Sequence, residues 1–234
     1  MSDSAHEALI AWPSKAAVNR IIPKSKIYEH AAASSRLKQL FVTEVEQVTW
    51  LSKLSPETIN VSAKDPVSEI QILGIQLKRT SLHHDVLRCI DRTINHPILF
   101  ELHHGSLVQA AACLKTGTDS RTGAKAQLSE YFQTPWLPKD VKRSDVPTAL
   151  NLAGLYERLL LSLVPMQPRE RESLDALIQR LTQSRALDQE LGKAVSALEK
   201  EKQFNRRVEL NATVRRLKSD IEKLGHMQKS PHGH

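Results

Sequence analysis

The amino-acid sequence predicts an α+β fold, in which a mixed or antiparallel sheet with flanking helices precedes a C-terminal α-helical hairpin or coiled-coil arm. Between residues 34 and 168, segments with apolar residues three and four positions apart alternate with short runs that are typical of strands. After Pro168 the strand-like runs end, and apolar residues continue at helical spacing among charged residues. The two parts of the chain are therefore expected to differ in secondary structure.

Changes in composition along the chain predict four segments. In the first, Pro13 and Pro23 argue against one continuous helix, because proline removes a helical hydrogen bond and clashes with the preceding turn. The predicted segments are an N-terminal basic arm (1–33), an α+β globular domain (34–168), a helical hairpin or coiled-coil arm (169–226) and a disordered tail (227–234).

The globular segment is predicted to begin with a helix. Ser34 can cap a helix over residues 34–47, where apolar residues recur at helical spacing. Strand-favouring residues follow on both sides of a turn at Ser55 and Pro56. Ser81 can begin a second helix, which ends before Pro97. The predicted strands cover residues 48–51, 58–61, 67–77, 98–102, 107–114 and 128–132.

Two periodic stretches make up the predicted helical arm. Ser173 begins the first, in which apolar residues line one face as far as Leu198. In the second, apolar residues are separated by four, three, four and three positions, which is a heptad seam. A bend at residues 203–205 would join the two stretches as an antiparallel hairpin. The predicted partner-binding residues of the seam are Leu210, Val214, Leu217, Ile221 and Leu224.

The composition is that of an ordinary globular protein. Of its 234 residues, 40% are apolar and 25% are charged, within the usual range for soluble domains. No apolar run approaches the roughly 20 residues of a membrane-spanning helix, and the first residues lack the pattern of a secretory signal. We therefore expect a cytoplasmic protein whose two cysteines, Cys89 and Cys113, are buried free thiols.

The positive charge is concentrated towards the ends of the sequence. The formal net charge is +7, and residues 41–150 contribute none of it, with twelve basic and twelve acidic side chains. A basic end favours contact with nucleic acid, because clustered cations release counterions from phosphate; charge that only keeps the ends soluble is the alternative. The predicted nucleic-acid-binding residues are Lys15, Arg20, Lys24 and Lys26.

The sequence contains no complete catalytic or cofactor motif. Its eight glycines form no phosphate-binding loop, and no nucleophile elbow occurs. Five histidines fall within 22 residues, but adjacent pairs such as His83 and His84 point to different sides of a helix or strand. We therefore expect neither a metal site nor a cofactor.

One predicted order of elements nevertheless matches a nuclease core. A helix, three strands, a helix and a strand, predicted between Ser34 and His103, occur in this order in restriction-endonuclease-like nucleases. Such a site needs carboxylates to hold Mg²⁺ and a lysine to orient water. Gln71 stands two residues after Glu69, so the set is incomplete. A nuclease that uses Mg²⁺ is thus an alternative function, with Glu57, Asp65, Glu69 and Lys78 as its catalytic candidates.

A polar cluster is predicted near the start of the sheet. Lys53, Thr58 and Asn60 lie among residues that favour strands. The alternative is a turn that Thr58 and Asn60 stabilise through hydrogen bonds. The two interpretations differ in whether Lys53 has a role beyond stability.

Several stretches of the sequence together resemble a known family. They are Pro23–Glu29, Lys53–Asn60, Asp85–Asp91, Pro97–Leu102 and Glu201–Glu209. They resemble a bacterial and archaeal domain-of-unknown-function family of about this length, and the resemblance extends over nearly the whole chain. Genes of that family tend to lie beside those for DNA methyltransferases and helicase-like ATPases in defence or restriction-type clusters. The resemblance implies an accessory role in anti-phage defence.

These observations lead to one principal hypothesis and two alternatives. We expect a non-catalytic accessory subunit whose helical arm docks a helicase-like ATPase or DNA methyltransferase subunit, while basic residues near the N-terminus contact DNA. The heptad seam should then be only partly covered by the rest of the chain. The alternatives are the metal-dependent nuclease and a self-assembling structural protein that forms a homo-oligomer through the helical arm.

Overall fold

The computed structural model describes residues 9–117 and 126–225. The chain divides into two compact units, the first ending at Leu163 and the second beginning at Val164. The predicted tail, residues 227–234, lies outside the described residues. No helix in the described ranges has the length and apolar character needed to cross a membrane.

A mixed sheet forms the centre of the first unit. Its strands are β1 (Ala17–Ile22), β2 (Val45–Leu54), β3 (Ile70–Leu77), β4 (Ile98–His104), β5 (Leu107–Thr116), β6 (Gln127–Gln133) and β7 (Leu137–Pro138). The strands pair in the order β1-β2-β3-β4-β5-β6, and β7 pairs with β5. All pairs are antiparallel except β3 with β4, which are parallel. The predicted α+β fold is confirmed, and of the two sheet types that were predicted, mixed or antiparallel, the sheet is mixed.

Helices accompany the sheet and form the second unit. The first unit contains α1 (Lys24–Ala31), α2 (Ser35–Glu44), α3 (Pro56–Ile59), α4 (His84–Thr93) and α5 (Leu152–Leu161), and the second contains α6 (Leu174–Lys200) and α7 (Phe204–Leu224). Ser34 caps α2 as predicted, by accepting a hydrogen bond from the Leu37 amide (3.3 Å). Helix α4 begins later than predicted, because the His83 ring rather than Ser81 accepts the Asp85 amide (3.2 Å).

Helix α4 connects the two parallel strands, since a parallel pair requires a crossover. Its Leu87 is buried in a hydrophobic cluster with Ile75 of β3 and Phe100 of β4. Ile27 of α1 and Phe41 of α2 belong to the same cluster. Helices α1, α2 and α4 therefore cover one face of the sheet together.

The segment between β2 and β3 differs from the prediction. Residues 45–54 form one strand, and the prediction of a second strand over residues 58–61 is wrong. Pro56 begins α3 instead, and the Ser55 amide donates to Thr58 Oγ1 (2.9 Å) in a capping box. This local capping outweighs strand propensity. Two strands rather than three lie between α2 and α4, so the predicted nuclease-like order of elements is not observed.

Residues 9–31 are part of the sheet unit rather than a separate basic arm. Strand β1 pairs with β2, and Ile10 is buried. Trp12 Nε1 donates to Glu101 Oε1 (2.7 Å). Arg143 donates to both oxygens of the same buried carboxylate (2.7 and 2.9 Å) and to the Ile10 carbonyl (2.9 Å). Contacts with distant parts of the chain hold this segment in place, and local sequence does not indicate them.

The second unit is the predicted pair of helices. Helices α6 and α7 pack against each other and are joined by residues 201–203. Such a short connection makes neighbouring helices antiparallel. The buried apolar residues of the two helices lie away from the bend, and they are Leu177, Ile178 and Leu181 in α6 and Val214, Leu217 and Ile221 in α7.

Arg180 holds the open end of this hairpin together. Its guanidinium donates to both oxygens of Glu172 (2.7 and 2.8 Å). It also donates to the carbonyls of Leu224 (2.7 Å) and Gln167 (2.8 Å). Leu224 is the last residue of α7, where the helix carries partial negative charge. This one side chain therefore joins the segment before α6 to the end of α7.

Acidification should weaken the contact between Arg180 and Glu172. Hydrogen bonds from Arg180 lower the pKa of Glu172 to about 2, whereas a glutamate in an unfolded chain titrates at about 4.3. The stabilisation is therefore complete above the unfolded-state pKa and is lost as the pH falls towards the folded-state pKa. Glu172→Gln should remove this part of the acid-induced loss of stability, measured by urea denaturation at a series of acidic pH values.

Glu170→Gln is the matched control, because the Glu170 side chain is exposed. It should lose stability with acid as the wild-type protein does. If Glu172→Gln also follows the wild-type curve, the ion pair does not stabilise the hairpin.

Candidate functional site

A cleft of about 1050 Å³ opens on the helical face of the sheet unit. One wall comes from the junction of α1 and α2, and the opposite wall from α4 and the residues that follow it. Pro66 and Ser68, which precede β3, line one end, and Lys115 at the end of β5 lies at the floor. The cleft is large enough for a small organic ligand.

The walls of the cleft carry an excess of positive charge. Arg36 of α2 and Arg92 of α4 are exposed, and within residues 9–117 and 126–225 neither has a hydrogen bond or ion pair from its side chain. The half-buried Arg88 lies 5.9 Å from the centre of the Tyr131 ring, over its face. Of the two carboxylates in the lining, Asp91 pairs with Lys115, and Asp85 is exposed in the first turn of α4, whereas Arg92 is in its last turn. Arg36 and Arg92 are thus available to an anionic ligand.

The floor of the cleft is a buried ammonium group. Lys115 Nζ donates to the carbonyls of Asp91 (2.5 Å), Ile94 (2.5 Å) and His96 (3.0 Å), and it lies 3.4 Å from Asp91 Oδ1. Its side chain is only 1% exposed. Burial lowers the pKa of Lys115, while the nearby Asp91 opposes that change. The ammonium satisfies carbonyls at the C-terminal end of α4, so it fixes the position of this helix.

Asp91 extends the same network to the other elements of the unit. Burial raises the pKa of Asp91, although Lys115 and two further donors favour the carboxylate. Those donors are the Tyr131 hydroxyl and the Cys113 thiol (3.6 Å). Tyr156 of α5 donates to the Cys113 carbonyl (2.5 Å). The network therefore links α4, β5, β6 and α5, and both cysteines are free and buried as expected.

Sequence reasoning did not identify the pair of Asp91 and Lys115, although two signals were present. Asp91 follows Leu87 by four residues, which places it on the buried face of α4. Lys115 follows Ala111 and Cys113 at strand spacing and so belongs to a buried face of β5. Two opposite charges at core positions of neighbouring elements would have indicated a buried ion pair.

The predicted catalytic residues do not form one site. Glu69 precedes β3 and Lys78 follows it, and nine extended residues span roughly 30 Å. Lys78 Nζ donates to the Val42 carbonyl (2.7 Å) instead. Glu57 is exposed and accepts a hydrogen bond from Ser55 (2.5 Å), and Asp65 lies in an exposed turn. The nuclease hypothesis requires these four side chains to lie close together, and Glu69 and Lys78 lie at opposite ends of β3.

A different set of side chains converges on Glu69. Lys53 Nζ lies 3.3 Å and His96 Nε2 lies 3.2 Å from its carboxylate oxygens, and Gln71 Nε2 donates to it (2.5 Å). The His96 ring also lies 3.4 Å from the Ser68 hydroxyl. Among the described residues, no three His, Cys, Asp or Glu side chains are close enough together to hold a metal ion. Glu69 is thus a half-buried acceptor for neighbouring donors.

The predicted polar cluster of Lys53, Thr58 and Asn60 is a turn in the structure. Thr58 Oγ1 donates to the Lys53 carbonyl (2.8 Å). Asn60 ends α3 with a left-handed backbone (φ 53°). The three side chains do not meet, because that of Lys53 is directed to Glu69. The contacts support the turn interpretation.

The predicted nucleic-acid-binding residues differ in their exposure. Lys15, Arg20 and Lys26 are exposed. Lys24 is half-buried and donates to the Val45 carbonyl (2.9 Å), and burial lowers its pKa. Lys24 therefore connects α1 to β2, and three of the four cations remain free to contact a ligand.

The predicted partner-binding seam is largely closed within the chain. Val214, Leu217 and Ile221 are buried, and only Leu210 and Leu224 are half-buried. The three buried residues face the rest of the chain, and the two half-buried ones leave part of the seam uncovered. The exposed apolar side chains of the hairpin lie beside the bend instead, where Phe204 is 78% and Val208 53% exposed.

Comparison with known proteins identifies the family. The family model described as "Domain of unknown function (DUF4391)" matches residues 10–221, and the chain belongs to this family. No curated protein and no solved structure matches the chain. The match covers the cleft, the buried network and the hairpin, apart from the last three residues of α7.

Replacing Lys115 should strongly destabilise the sheet unit. Lys115→Met keeps the aliphatic chain but removes the ammonium, which leaves Asp91 as an unpaired buried charge and the three carbonyls without their donor. Breaking a buried pair in this way costs about 3–5 kcal/mol. Urea denaturation followed by tryptophan fluorescence measures the loss.

Two further variants separate the charge effect from packing. Adding Asp91→Asn to Lys115→Met should recover part of the stability, because the unpaired charge is gone. Lys139→Met, at an exposed lysine, should change stability by less than about 0.5 kcal/mol. A change that small for Lys115→Met would show that the ammonium does not hold α4.

Proposed function

We propose that this chain is a non-catalytic accessory subunit that docks a larger protein through the bend of its helical hairpin and contacts DNA through basic side chains of its sheet unit. One observation carries the proposal, the exposure of Phe204 and Val208 beside the bend. They are four residues apart on α7 and so share one face of the helix. Neighbouring exposed apolar residues on a helix are suited to a groove in a partner protein.

The partner we propose is a helicase-like ATPase or a DNA methyltransferase subunit of an anti-phage defence or restriction-type complex. The support for this class is the resemblance of the sequence stretches described above. In such a complex the partner catalyses the reaction, and this chain binds the partner and DNA. The separation of Glu69 from Lys78 favours this role over that of a nuclease with those catalytic residues.

The contact with DNA is proposed to involve Lys15, Arg20 and Lys26. All three side chains are exposed, and they lie on the short 3₁₀ helix before β1, on β1 and on α1. Lys24 is left out because the Val45 carbonyl occupies its ammonium. Exposed lysine and arginine side chains bind phosphate groups without regard to base sequence.

Removing the apolar side chains beside the bend should abolish partner docking without unfolding the chain. Each such side chain contributes roughly 1.5–3 kcal/mol when an interface buries it. Phe204→Ser with Val208→Gln should therefore lose the partner in affinity purification from native cells, with the captured proteins identified by mass spectrometry. We expect the wild-type chain to capture a helicase-like ATPase or a methyltransferase.

Leu150→Ser is the matched control, because Leu150 is a 94% exposed apolar residue in the sheet unit. It should leave capture unchanged. Capture that survives both substitutions beside the bend would exclude this surface as the docking site. If light scattering instead shows a concentration-dependent oligomer that these substitutions dissociate, the hairpin mediates self-assembly.

Reversing the charge of the three exposed basic side chains should weaken DNA binding and reduce the dependence of the affinity on salt concentration. Each phosphate contact contributes about 0.9 to the slope of log affinity against log salt concentration. The triple variant Lys15→Glu, Arg20→Glu, Lys26→Glu should therefore lower that slope by about 2.7 for duplex DNA, measured by fluorescence anisotropy.

The control reverses three exposed cations of α7, Arg215, Arg216 and Lys218. It should reduce the slope by less than the first triple variant does. If wild-type protein shows no affinity for duplex DNA at about 50 mM salt, where such contacts are strong, the DNA part of the proposal is wrong.

A further inference from the structure

We propose that the cleft between α2 and α4 binds a nucleoside phosphate, with the phosphate held by arginines and the base against the apolar wall. This site goes beyond the proposed docking and DNA contacts, because it uses neither the residues beside the hairpin bend nor the three exposed cations near the N-terminus. Its elements belong to the sheet unit alone.

The positive charge of the cleft favours an anionic ligand. Arg88 and Arg92 are one turn apart on α4 and so share a face of that helix, and Arg36 lines the cleft from α2. Asp91 cannot neutralise them, because Lys115 already pairs with it, and Asp85 lies in the first turn of α4, away from Arg92 in the last turn. Like charges one turn apart destabilise a helix, and a bound phosphate offsets that cost. Guanidinium groups also match the geometry of phosphate oxygens and donate two hydrogen bonds at once.

The volume and the apolar lining of the cleft indicate a ligand larger than a phosphate ion. Its volume of about 1050 Å³ far exceeds the needs of a single inorganic anion. Leu37 and Leu40, three residues apart on α2, line it and are only half-buried. They provide an apolar surface beside the cations. A ligand that joins an anion to a flat, weakly polar ring uses both features, and a nucleoside phosphate has this chemistry.

The helix that carries Arg88 and Arg92 is held in place before any ligand arrives. Lys115 anchors the C-terminal end of α4 through three carbonyls, so Arg88 and Arg92 project from a fixed helix. A preformed arrangement reduces the entropy lost on binding. Because the same chemistry is present in a free nucleotide and in an unpaired nucleotide of a strand, the test uses both probes.

The test measures binding of the full chain to ATP by calorimetry and to a fluorescent thymidine oligonucleotide by anisotropy. Arg36→Ala and Arg92→Ala should each weaken binding about tenfold or more, the effect of losing hydrogen bonds between charged groups. Arg92→Lys should retain part of the affinity, because it keeps the charge but not the paired donors. Arg158→Ala, at an exposed arginine of α5, is the matched control and should bind as wild type.

The two probes identify the source of the nucleotide. Losses in the ATP experiment indicate a free nucleotide, and losses confined to the oligonucleotide indicate an unpaired strand. The proposal is overturned if neither probe binds, if the cleft variants bind as Arg158→Ala does, or if inorganic phosphate competes as well as ATP. Partner capture and duplex binding are assayed with other variants, so they can succeed or fail independently of this result.

Discussion

The buried ammonium of Lys115 is the contact on which the sheet unit most depends. It satisfies three carbonyls at the end of α4 and the carboxylate of Asp91 at once. Helix α4 is the crossover between the two parallel strands, so its position also sets how β3 and β4 are connected. Through Asp91, Tyr131 and Tyr156 the same contact reaches β6 and α5. A cleft beside α4 can therefore keep its shape although much of its wall is helical and faces solvent.

Charged residues have two roles in this protein, and the buried ones differ in role from the exposed ones. The ion pairs of Lys115 with Asp91 and of Arg143 with Glu101 join segments distant in sequence, and the first pair is fully buried. The pair of Arg180 with Glu172 is also buried and joins α6 to the segment before it. Arginines of the cleft and cations near the N-terminus stay exposed. The first group holds the fold together, and the second remains available to anionic ligands. Net charge alone does not distinguish these groups, because both contribute to it.

The prediction succeeded where neighbouring residues decide the structure. The helical pair follows from apolar spacing in the sequence, and the strand predicted over residues 107–114 lies within β5. It failed at residues 58–61, where Pro56 and the capping box of Ser55 and Thr58 form a turn of helix from residues that favour strands. For the partner-binding seam, the heptad pattern does not show which of its residues a neighbouring helix covers. Val214, Leu217 and Ile221 are covered within the chain itself.

By itself, the sequence determined the α+β class, a sheet with flanking helices and the helical pair, because period and capping depend on residues close together in the chain. It left open whether the sheet is mixed or antiparallel. Only the tertiary structure decided which charges meet. The crossover between β3 and β4 brings Asp91 to Lys115, and the return of the chain along the sheet brings Arg143 to Glu101. It also decided that Arg36 and Arg92 face a common cleft without carboxylate partners among the described residues. Such proximity depends on strand order and helix placement, which many distant contacts set together.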